Sequence, residues 1–314
     1  NPFQNPLAAK TRRNEVLRAM ADNGYITPAA RDEALNAPLE VKQGTRYTRR
    51  REPYFFDYVQ EQLIERYGVG VYRRGGLRVH TTINPKMQDV ARDAINAYWG
   101  DPAGPGSALV SIDPGSGEIR AMASSGTYDD SRFNLAAQAH RQPGSAFKTM
   151  VLTAAVLKGV DPDSTSYVSK PLSIDDPTYG RWDVKTFGNS YAGSTTLTRA
   201  TLASDNSVYA QLILDIGPDS VCETAKKLGV TSELDCYPAE GLGGLRIGVT
   251  PLEMASAYAT LAAGGVRRKP TAIRKVIFPD GKSESLTGGK GKRVMTDGQA
   301  YEVTRILEMN MTGG

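Results

Sequence analysis

The chain has little cysteine, histidine and tryptophan, with two residues of each type among 314. Cys222 and Cys236 lie 14 positions apart, and neither has a second cysteine or a histidine at metal-ligand spacing. His80 and His140 are too few to complete a zinc site, and we interpret both as structural residues. The cysteines are either two unpaired buried thiols or a disulfide, which would require an oxidising compartment.

The chain also lacks a strong excess of one charge and any long apolar run. Its net charge is only +4, and its basic residues are not interleaved with aromatic ones, which argues against a nucleic-acid partner. No segment has the length and apolarity of a signal peptide or a membrane span. The chain begins at Asn1 without an initiator methionine and ends in Met311–Gly314, where we expect a loop. We therefore expect a piece of a longer protein.

The first hundred residues are predicted to be mainly helical. A helix stop at Asn23-Gly24 and a helix start at Thr27-Pro28 separate two short helices. Residues 41–52 are rich in arginine and almost free of apolar residues, so we interpret them as a solvated linker rather than a surface for an anionic partner. The elements predicted next are a helix from Pro53 to Tyr67, a strand from Leu77 to Ile83 and a helix from Asn84 to Trp99.

A segment rich in glycine and proline at residues 100–106 marks the main domain boundary. Beyond it, a hairpin turn at Asp113–Gly117 joins two predicted strands. Residues 167–193 are polar and aperiodic, and we expect an irregular surface excursion there. The other predicted elements are helices after Ser145 and at 198–203, 208–216, 220–228, 251–263 and 298–309, and a β region at 272–278. This order predicts an α+β fold, an antiparallel sheet flanked by helices, with a small N-terminal linker region.

The segment Arg141–Lys148 carries the strongest chemical signal. A Pro143-Gly144 turn precedes Ser145, Lys148 follows three residues later, and an apolar helix comes next. If the helix begins near Ser145, the hydroxyl and the amine lie on one face, one turn apart. A neutral lysine can then act as the base that takes the proton of a serine nucleophile. Because a bare Ser-x-x-Lys is expected about once by chance in such a chain, the context carries the inference.

A second motif, Ser204-Asp205-Asn206, follows between two helical runs. Ser204 can relay a proton between Lys148 and a leaving group. The amide of Asn206 can orient Lys148 and donate a hydrogen bond to a substrate carbonyl. We therefore predict Ser145, Lys148, Ser204 and Asn206 as catalytic residues, and Ser204 and Asn206 also as substrate-binding residues.

The order Ser-x-x-Lys, then Ser-x-Asn, resembles that of penicillin-binding proteins and serine β-lactamases. The surrounding sequence looks like the transpeptidase domain of bifunctional class A penicillin-binding proteins. The segments that carry this resemblance are Phe133-Asn134, Arg141–Lys148, Gly243-Gly244 and Val249–Ala259. The opening stretch to Thr27 is similar to the tail of their glycosyltransferase domain, and Leu77–Gln88 resembles their inter-domain linker.

The resemblance implies three parts: the glycosyltransferase tail at residues 1–40, a linker region at 41–103, and the transpeptidase domain at 104–314. The third motif of the family, Lys-Thr/Ser-Gly, is absent from the 314 residues, and we expect it shortly after Gly314. Its lysine would help to lower the pKa of Lys148, and its strand would supply an oxyanion donor beside the amide of Ser145.

The family resemblance implies a peptidoglycan D,D-transpeptidase that needs no cofactor or metal. Ser145 would attack the D-Ala-D-Ala carbonyl of a stem peptide, and an amine of a neighbouring stem would take the acyl group. β-Lactams would acylate the same serine. The resemblance further implies a membrane-anchored cell-wall synthase on the extracytoplasmic face of the bacterial membrane, with other cell-wall synthesis proteins as partners. Such a location favours a disulfide between Cys222 and Cys236.

Three alternatives belong to other functional classes. A serine β-lactamase would need a deacylating carboxylate, typically in a Glu-x-x-Leu-Asn setting, and no such string occurs. A β-lactam sensor or a carboxypeptidase would not carry the glycosyltransferase-like opening. A scaffold that keeps the fold without turnover remains open, and labelling with a fluorescent penicillin would distinguish it from an enzyme.

Overall fold

A computed structural model describes residues 2, 5–41, 51–99, 104–177, 180–287 and 289–313. The chain divides into two compact units, Asn1–Arg51 and Glu52–Gly314. Two sequence predictions fall largely outside the described residues. They are the arginine-rich linker at 41–52 and the domain boundary at 100–106. Residues 52–99 belong to the same compact unit as residues 104–313.

The first unit contains two helices at the predicted positions, α1 (Pro6–Asp22) and α2 (Pro28–Asn36). Each begins with a proline that follows a side-chain cap, which satisfies an amide that the first turn leaves without a partner. Arg13 of α1 donates hydrogen bonds to the carbonyl oxygens of Leu35 and Ala37. These bonds connect α1 to the end of α2.

The second unit contains most of the helices. They are α3 (Pro53–Arg74), α4 (Pro85–Trp99), α5 (Leu135–Gln138), α6 (Lys148–Leu157), α7 (Leu197–Leu202), α8 (Asn206–Ile216), α9 (Pro218–Leu228), α10 (Pro251–Ala262) and α11 (Asp297–Gly313). α3 is longer than predicted because the chain passes through Gly68 with a φ of 80° and continues as a helix. The expectation of a loop from Met311 is wrong for residues 311–313, because α11 continues to Gly313, and a helix that has already formed gains one hydrogen bond with each added residue.

The strands of this unit pair antiparallel. They are β1 (Arg78–Thr81), β2 (Ala108–Ile112), β3 (Ile119–Ser124), β4 (Ser166–Ser169), β5 (Leu172–Asp176), β6 (Gly180–Val184), β7 (Gly193–Thr196), β8 (Val266–Arg267), β9 (Ile273–Ile277), β10 (Ser283–Ser285) and β11 (Lys292–Arg293). β9 lies between β1 and β10, and the other strands form the pairs β2–β3, β4–β7, β5–β6 and β8–β11. The predicted combination of helices with antiparallel sheet is confirmed.

The expectation of an irregular excursion over residues 167–193 is wrong. β4 pairs with β7 across this segment, and β5 pairs with β6 as a hairpin inside it. These strands expose most of their residues, including half of the Val168 side chain. The alternation of apolar and polar residues that reveals a half-buried strand is present in β5 and β6, at residues 172–175 and 181–184, so these two strands could have been predicted, whereas β4 and β7 lack it.

The apolar core of the second unit surrounds α6. Nine of the ten residues of α6 are buried, and side chains of α8, α9, α10 and α11 pack against it. A second cluster lies between α3 and the strands β1, β3 and β9. A helix that is apolar on all sides belongs at the centre of a domain, so α6 provides a rigid support for the residues at its N-terminus.

Cys222 of α9 and Cys236 form a disulfide, with their Cα atoms 5.8 Å apart. The structure thus resolves the choice between unpaired thiols and a bonded pair. The bridge joins α9 to the segment that leads into the short 3₁₀ helix Pro238–Leu242.

Candidate active site

The predicted nucleophile lies in a 3₁₀ turn, Gly144–Phe147, that leads directly into α6. Ser145 is exposed in this turn, whereas Lys148, the first residue of α6, is only 4% exposed. Nζ of Lys148 lies 3.2 Å from Oγ of Ser145. The two side chains therefore meet as their three-residue spacing predicts, with the hydroxyl in solvent and the amine in the protein.

Two residues from other segments, Gly243 and Tyr258, hold this turn in place. Gly243 has a φ of 86°, and a Cβ at this position would lie 2.1 Å from the carbonyl oxygen of Gly144. Only glycine allows the backbone to approach so closely. The hydroxyl of Tyr258 donates a hydrogen bond of 3.0 Å to the carbonyl of Ala146 and lies 2.8 Å from Oγ1 of Thr149.

The second predicted motif occupies the turn between α7 and α8. Ser204 has a φ of 51°, which is unusual for a residue with a side chain and is found where the surrounding structure demands it. Asp205 is the N-cap of α8 and accepts a hydrogen bond from the amide of Val208. Its carboxylate is buried and also accepts hydrogen bonds from the hydroxyls of Ser169 and Ser207.

Three oxygen atoms of the Ser204–Asn206 motif lie within hydrogen-bond distance of the amine of Lys148. Nζ lies 2.6 Å from the carbonyl oxygen of Ser204, 3.0 Å from its Oγ and 2.7 Å from Oδ1 of Asn206. The Nδ2 group of Asn206 donates to the carbonyl of Lys185 at 3.0 Å, which fixes the orientation of the amide. The structure thus brings together all four residues that the sequence singles out, Ser145, Lys148, Ser204 and Asn206.

The hydrogen-bond inventory accommodates the neutral amine as well as the ammonium. A neutral lysine has two N–H donors and one lone pair. The two nearest oxygens, the carbonyl of Ser204 and Oδ1 of Asn206, can only accept, so they take both N–H groups. The lone pair then remains for a proton from Oγ of Ser145 or of Ser204.

Burial lowers the pKa of Lys148 to about 8, and the nearby carboxylate of Asp205 acts against this shift. Burial disfavours the charged form because the protein interior solvates an ammonium less well than water does. The ring of Tyr209 lies 5.5 Å from Nζ on a fully buried side chain. The amine therefore sits among packed groups that exclude water.

Sequence reasoning missed three contributors to this environment: Asp205, Tyr209 and the carbonyl of Lys185. An aspartate directly before an apolar helical run is a recognisable N-cap signal, so the cap at Asp205 could have been predicted. Tyr209 and Lys185 carry no local signal, because their contacts with the site arise only from tertiary packing.

The part of the chain that the structure describes lacks two further kinds of feature. Among these residues, no three His, Cys, Asp or Glu side chains are grouped so that they could hold a metal ion. The same residues include no helix with the length and apolar character of a membrane span.

Comparison with known proteins assigns this site to a family. The family described as penicillin binding protein transpeptidase domain matches residues 107–314. Penicillin-binding protein 2D of Bacillus subtilis is 28% identical over 311 residues, which cover 98% of this chain and 45% of that protein. Penicillin-binding protein 1B of Escherichia coli is 33% identical over 313 residues, which cover 96% of this chain and 36% of that protein.

A solved structure has the same fold. The PonA1 protein from Mycobacterium tuberculosis, in complex with penicillin V, superposes with a TM-score of 0.70 and 27% identity over 81% of this chain and 69% of that chain. The chain spans less than half the length of the two curated relatives. Its family match covers the 3₁₀ turn of Ser145 and the turn of Ser204 alike. The chain therefore belongs to the transpeptidase family of class A penicillin-binding proteins.

Proposed function

We propose that this protein is a peptidoglycan D,D-transpeptidase in which Ser145 forms the acyl-enzyme and Lys148 is the base. The observation that carries the proposal is the buried amine of Lys148, whose Nζ lies 3.2 Å from the hydroxyl oxygen of the exposed Ser145. The pKa of about 8 leaves a useful fraction of this amine neutral near pH 7.

In the first half-reaction, Oγ of Ser145 bonds to the carbonyl carbon of D-Ala-D-Ala while its proton passes to Nζ of Lys148. The tetrahedral intermediate then collapses, and the peptide C–N bond breaks. The leaving D-Ala nitrogen receives a proton from Oγ of Ser204, which is replenished from Nζ at 3.0 Å. In the second half-reaction an amine of a neighbouring stem peptide attacks the ester, and the same groups carry the protons in reverse.

Asn206 serves both as a positioning residue and as a substrate-binding residue. Its Oδ1 holds the amine, and one N–H of its Nδ2 group is engaged by Lys185. The amide has a second N–H, which can donate to a carbonyl of the substrate.

β-Lactams exploit the same first step. Attack by Ser145 opens the lactam C–N bond, but the leaving nitrogen stays attached to the acyl group and blocks the second half-reaction. The complex of the related PonA1 protein with penicillin V supports this part of the proposal.

The organisation of the whole protein is also a proposal. Residues 1–40 would be the tail of a glycosyltransferase domain, 41–103 a linker region and 104–314 a transpeptidase domain whose third motif follows Gly314. The protein would be a bifunctional cell-wall synthase, anchored in the bacterial membrane on its extracytoplasmic face, where stem peptides and other cell-wall synthesis proteins are found.

The test is acylation of the full-length protein by a fluorescent penicillin, with the adduct located by mass spectrometry. We expect one adduct on Ser145, none in Ser145→Ala, and a rate reduced by about a hundredfold or more in Lys148→Ala, since a general base contributes about that much. Lys86→Ala, which removes an exposed lysine elsewhere, is the matched control. An adduct that survives Ser145→Ala would overturn the proposal, and rapid hydrolysis of nitrocefin would favour a β-lactamase.

A further inference from the structure

A second cavity lies apart from the Ser145 site and shares none of its four residues. Its volume is about 570 Å³, within the usual range of small-molecule sites. Its walls are formed by the N-terminal half of α10, by the paired strands β8 and β11, by residues 268–271 after β8, and by residues 286–287 and 289–291. It is open to solvent.

Five cationic side chains line this cavity, and one carboxylate. The cations are Arg267, Arg268, Lys269, Lys290 and Lys292. Among the described residues, none of the five has an acidic side chain within salt-bridge distance. Many other basic residues of this unit do, including Arg120, Arg246 and Arg274. Five cations against one carboxylate give the cavity lining a net charge of +4.

The single carboxylate, Glu253, forms no ion pair with these cations. Its Oε1 accepts hydrogen bonds from the amides and hydroxyls of Thr231 and Ser232. Its Oε2 accepts from the amide and hydroxyl of Thr250, at 2.8 and 3.2 Å. Because both oxygens are held by these neutral donors, the side chain caps α10 and offers no ion pair to the cavity.

The backbone forces two of the cations together. Lys292 of β11 lies directly opposite Arg267 of β8 in the antiparallel pair. Like charges in this position destabilise a strand pair. The close approach is built in at Gly291, where a Cβ would lie 2.5 Å from Cγ1 of Val266 and 3.0 Å from the carbonyl oxygen of Arg267. An anion between the two side chains would convert this repulsion into attraction.

A buried hydroxyl without a hydrogen-bond partner lies in the same wall. Ser256 lines the cavity, is 2% exposed, and its Oγ has no partner among the described residues. This oxygen has less than 1 Å² of accessible surface, so it marks a polar wall of the cavity without itself reaching a ligand. The guanidinium groups of Arg267 and Arg268 each spend one nitrogen on a backbone carbonyl, which leaves further N–H donors.

We propose that this cavity binds a phosphate-bearing ligand between β8, β11 and α10. Adjacent arginines with lysines around them suit a dianion with several oxygens better than a single carboxylate. The phosphate can belong to a soluble ester or to a lipid headgroup, because the contacts that the cavity offers are the same for both.

The primary experiment is calorimetric titration of the full-length protein with inorganic pyrophosphate at constant ionic strength. We expect saturable binding that weakens by about tenfold or more in the double variant Arg267→Gln/Lys292→Gln, since hydrogen bonds to charged groups are strong. The double variant Lys86→Gln/Lys158→Gln removes the same charge from exposed positions elsewhere and should bind as the parent does. No binding, an unchanged affinity in the first variant, or an equal loss in the control would overturn the proposal.

Thermal melting of the parent and the variant tests whether a loss of binding is caused by misfolding of the variant. Without pyrophosphate, Arg267→Gln/Lys292→Gln should melt close to the parent, because the relief of a like-charge pair offsets the lost hydrogen bond from Arg267 to the carbonyl of Lys226. With pyrophosphate, the parent should gain thermal stability and the variant should not. Labelling of Ser145 by a fluorescent penicillin should be the same in both, so a failure here is distinguishable from a failure of the acyl-enzyme mechanism.

The source of the phosphate is decided by two further arms. Competition by glycerol phosphate against pyrophosphate, without binding to phosphatidylglycerol vesicles, assigns a soluble ester. Binding to phosphatidylglycerol vesicles but not to phosphatidylcholine vesicles, lost in Arg267→Gln/Lys292→Gln, assigns a lipid headgroup. Vesicle binding that the variant retains would contradict the lipid assignment.

Discussion

Replacement of Asp205 by asparagine should move the pH dependence of acylation to lower pH. Burial lowers the pKa of Lys148 to about 8, and the carboxylate of Asp205 is the group that opposes this shift. Asparagine is nearly the same size and is as good an N-cap as aspartate, so its oxygen can still accept from the amide of Val208. The substitution therefore removes the charge and keeps the start of α8.

The pKa sets the size of the expected effect. At a pKa of about 8, roughly one amine in ten is neutral at pH 7, against about one in 2,500 at the ordinary lysine value of about 10.4. Below its pKa, the neutral fraction roughly doubles for every 0.3 unit by which the pKa falls. Asp205→Asn should therefore accelerate acylation at pH 7, by at most about tenfold, and leave the plateau above pH 9 unchanged.

The assay is the rate of fluorescent-penicillin labelling between pH 5.5 and 9.5. Ser169→Ala is the matched control, because it removes one hydrogen bond to Asp205 but keeps the carboxylate. Its inflection should stay near that of the parent protein. An inflection of Asp205→Asn at the parent's pH, or at a higher one, would refute the role of Asp205 in setting the pKa of Lys148.

Three further predictions concern the supports of the site. Gly243→Ala should abolish fluorescent-penicillin labelling while the protein stays folded, because its Cβ would displace Gly144 and the Ser145 turn. The control Gly244→Ala should be tolerated, because its Cβ would come only within 3.3 Å of the carbonyl oxygen of Ala239. Burial would raise the pKa of Glu253, but donated hydrogen bonds hold it at about 2, so its stabilisation is complete above about pH 4.5 and is lost as the pH falls towards 2. Glu253→Gln should accordingly cost about 2 kcal/mol or more in urea unfolding at pH 7, and less at pH 3. Replacing both Cys222 and Cys236 by alanine should cost about 3 kcal/mol by the same measurement, because the bridge closes a 14-residue loop.

The parts of the site that the sequence predicts well are those built within one turn of chain. Ser145 and Lys148 meet because a 3₁₀ turn followed by a helix places residues three apart on one side, and this follows from spacing alone. The contact of Lys148 with Ser204 and Asn206 spans more than fifty residues and has no local signal. At the level of sequence, only the resemblance to a family links the two motifs.

The cysteines and the polar strands show the same limit. Composition left Cys222 and Cys236 undecided, because pairing depends on the distance between α9 and the segment after it. β4 finds its partner β7 beyond a complete hairpin, and neither strand shows an apolar face. The disulfide and the β4–β7 pair each join segments that the packing around α6 brings together. Local sequence patterns do not predict such tertiary contacts.

Lys148 lies at the edge of the apolar core around α6. This position explains how one segment supplies both a buried base and a solvent-exposed nucleophile. α6 is buried from its first residue, so the amine of Lys148 leaves water and its pKa falls. One turn earlier, the chain is held at the surface by Gly243 and Tyr258, so Ser145 stays accessible. The pKa of the base, and with it the acid–base chemistry of the site, thus depends on the packing of α6 in the core.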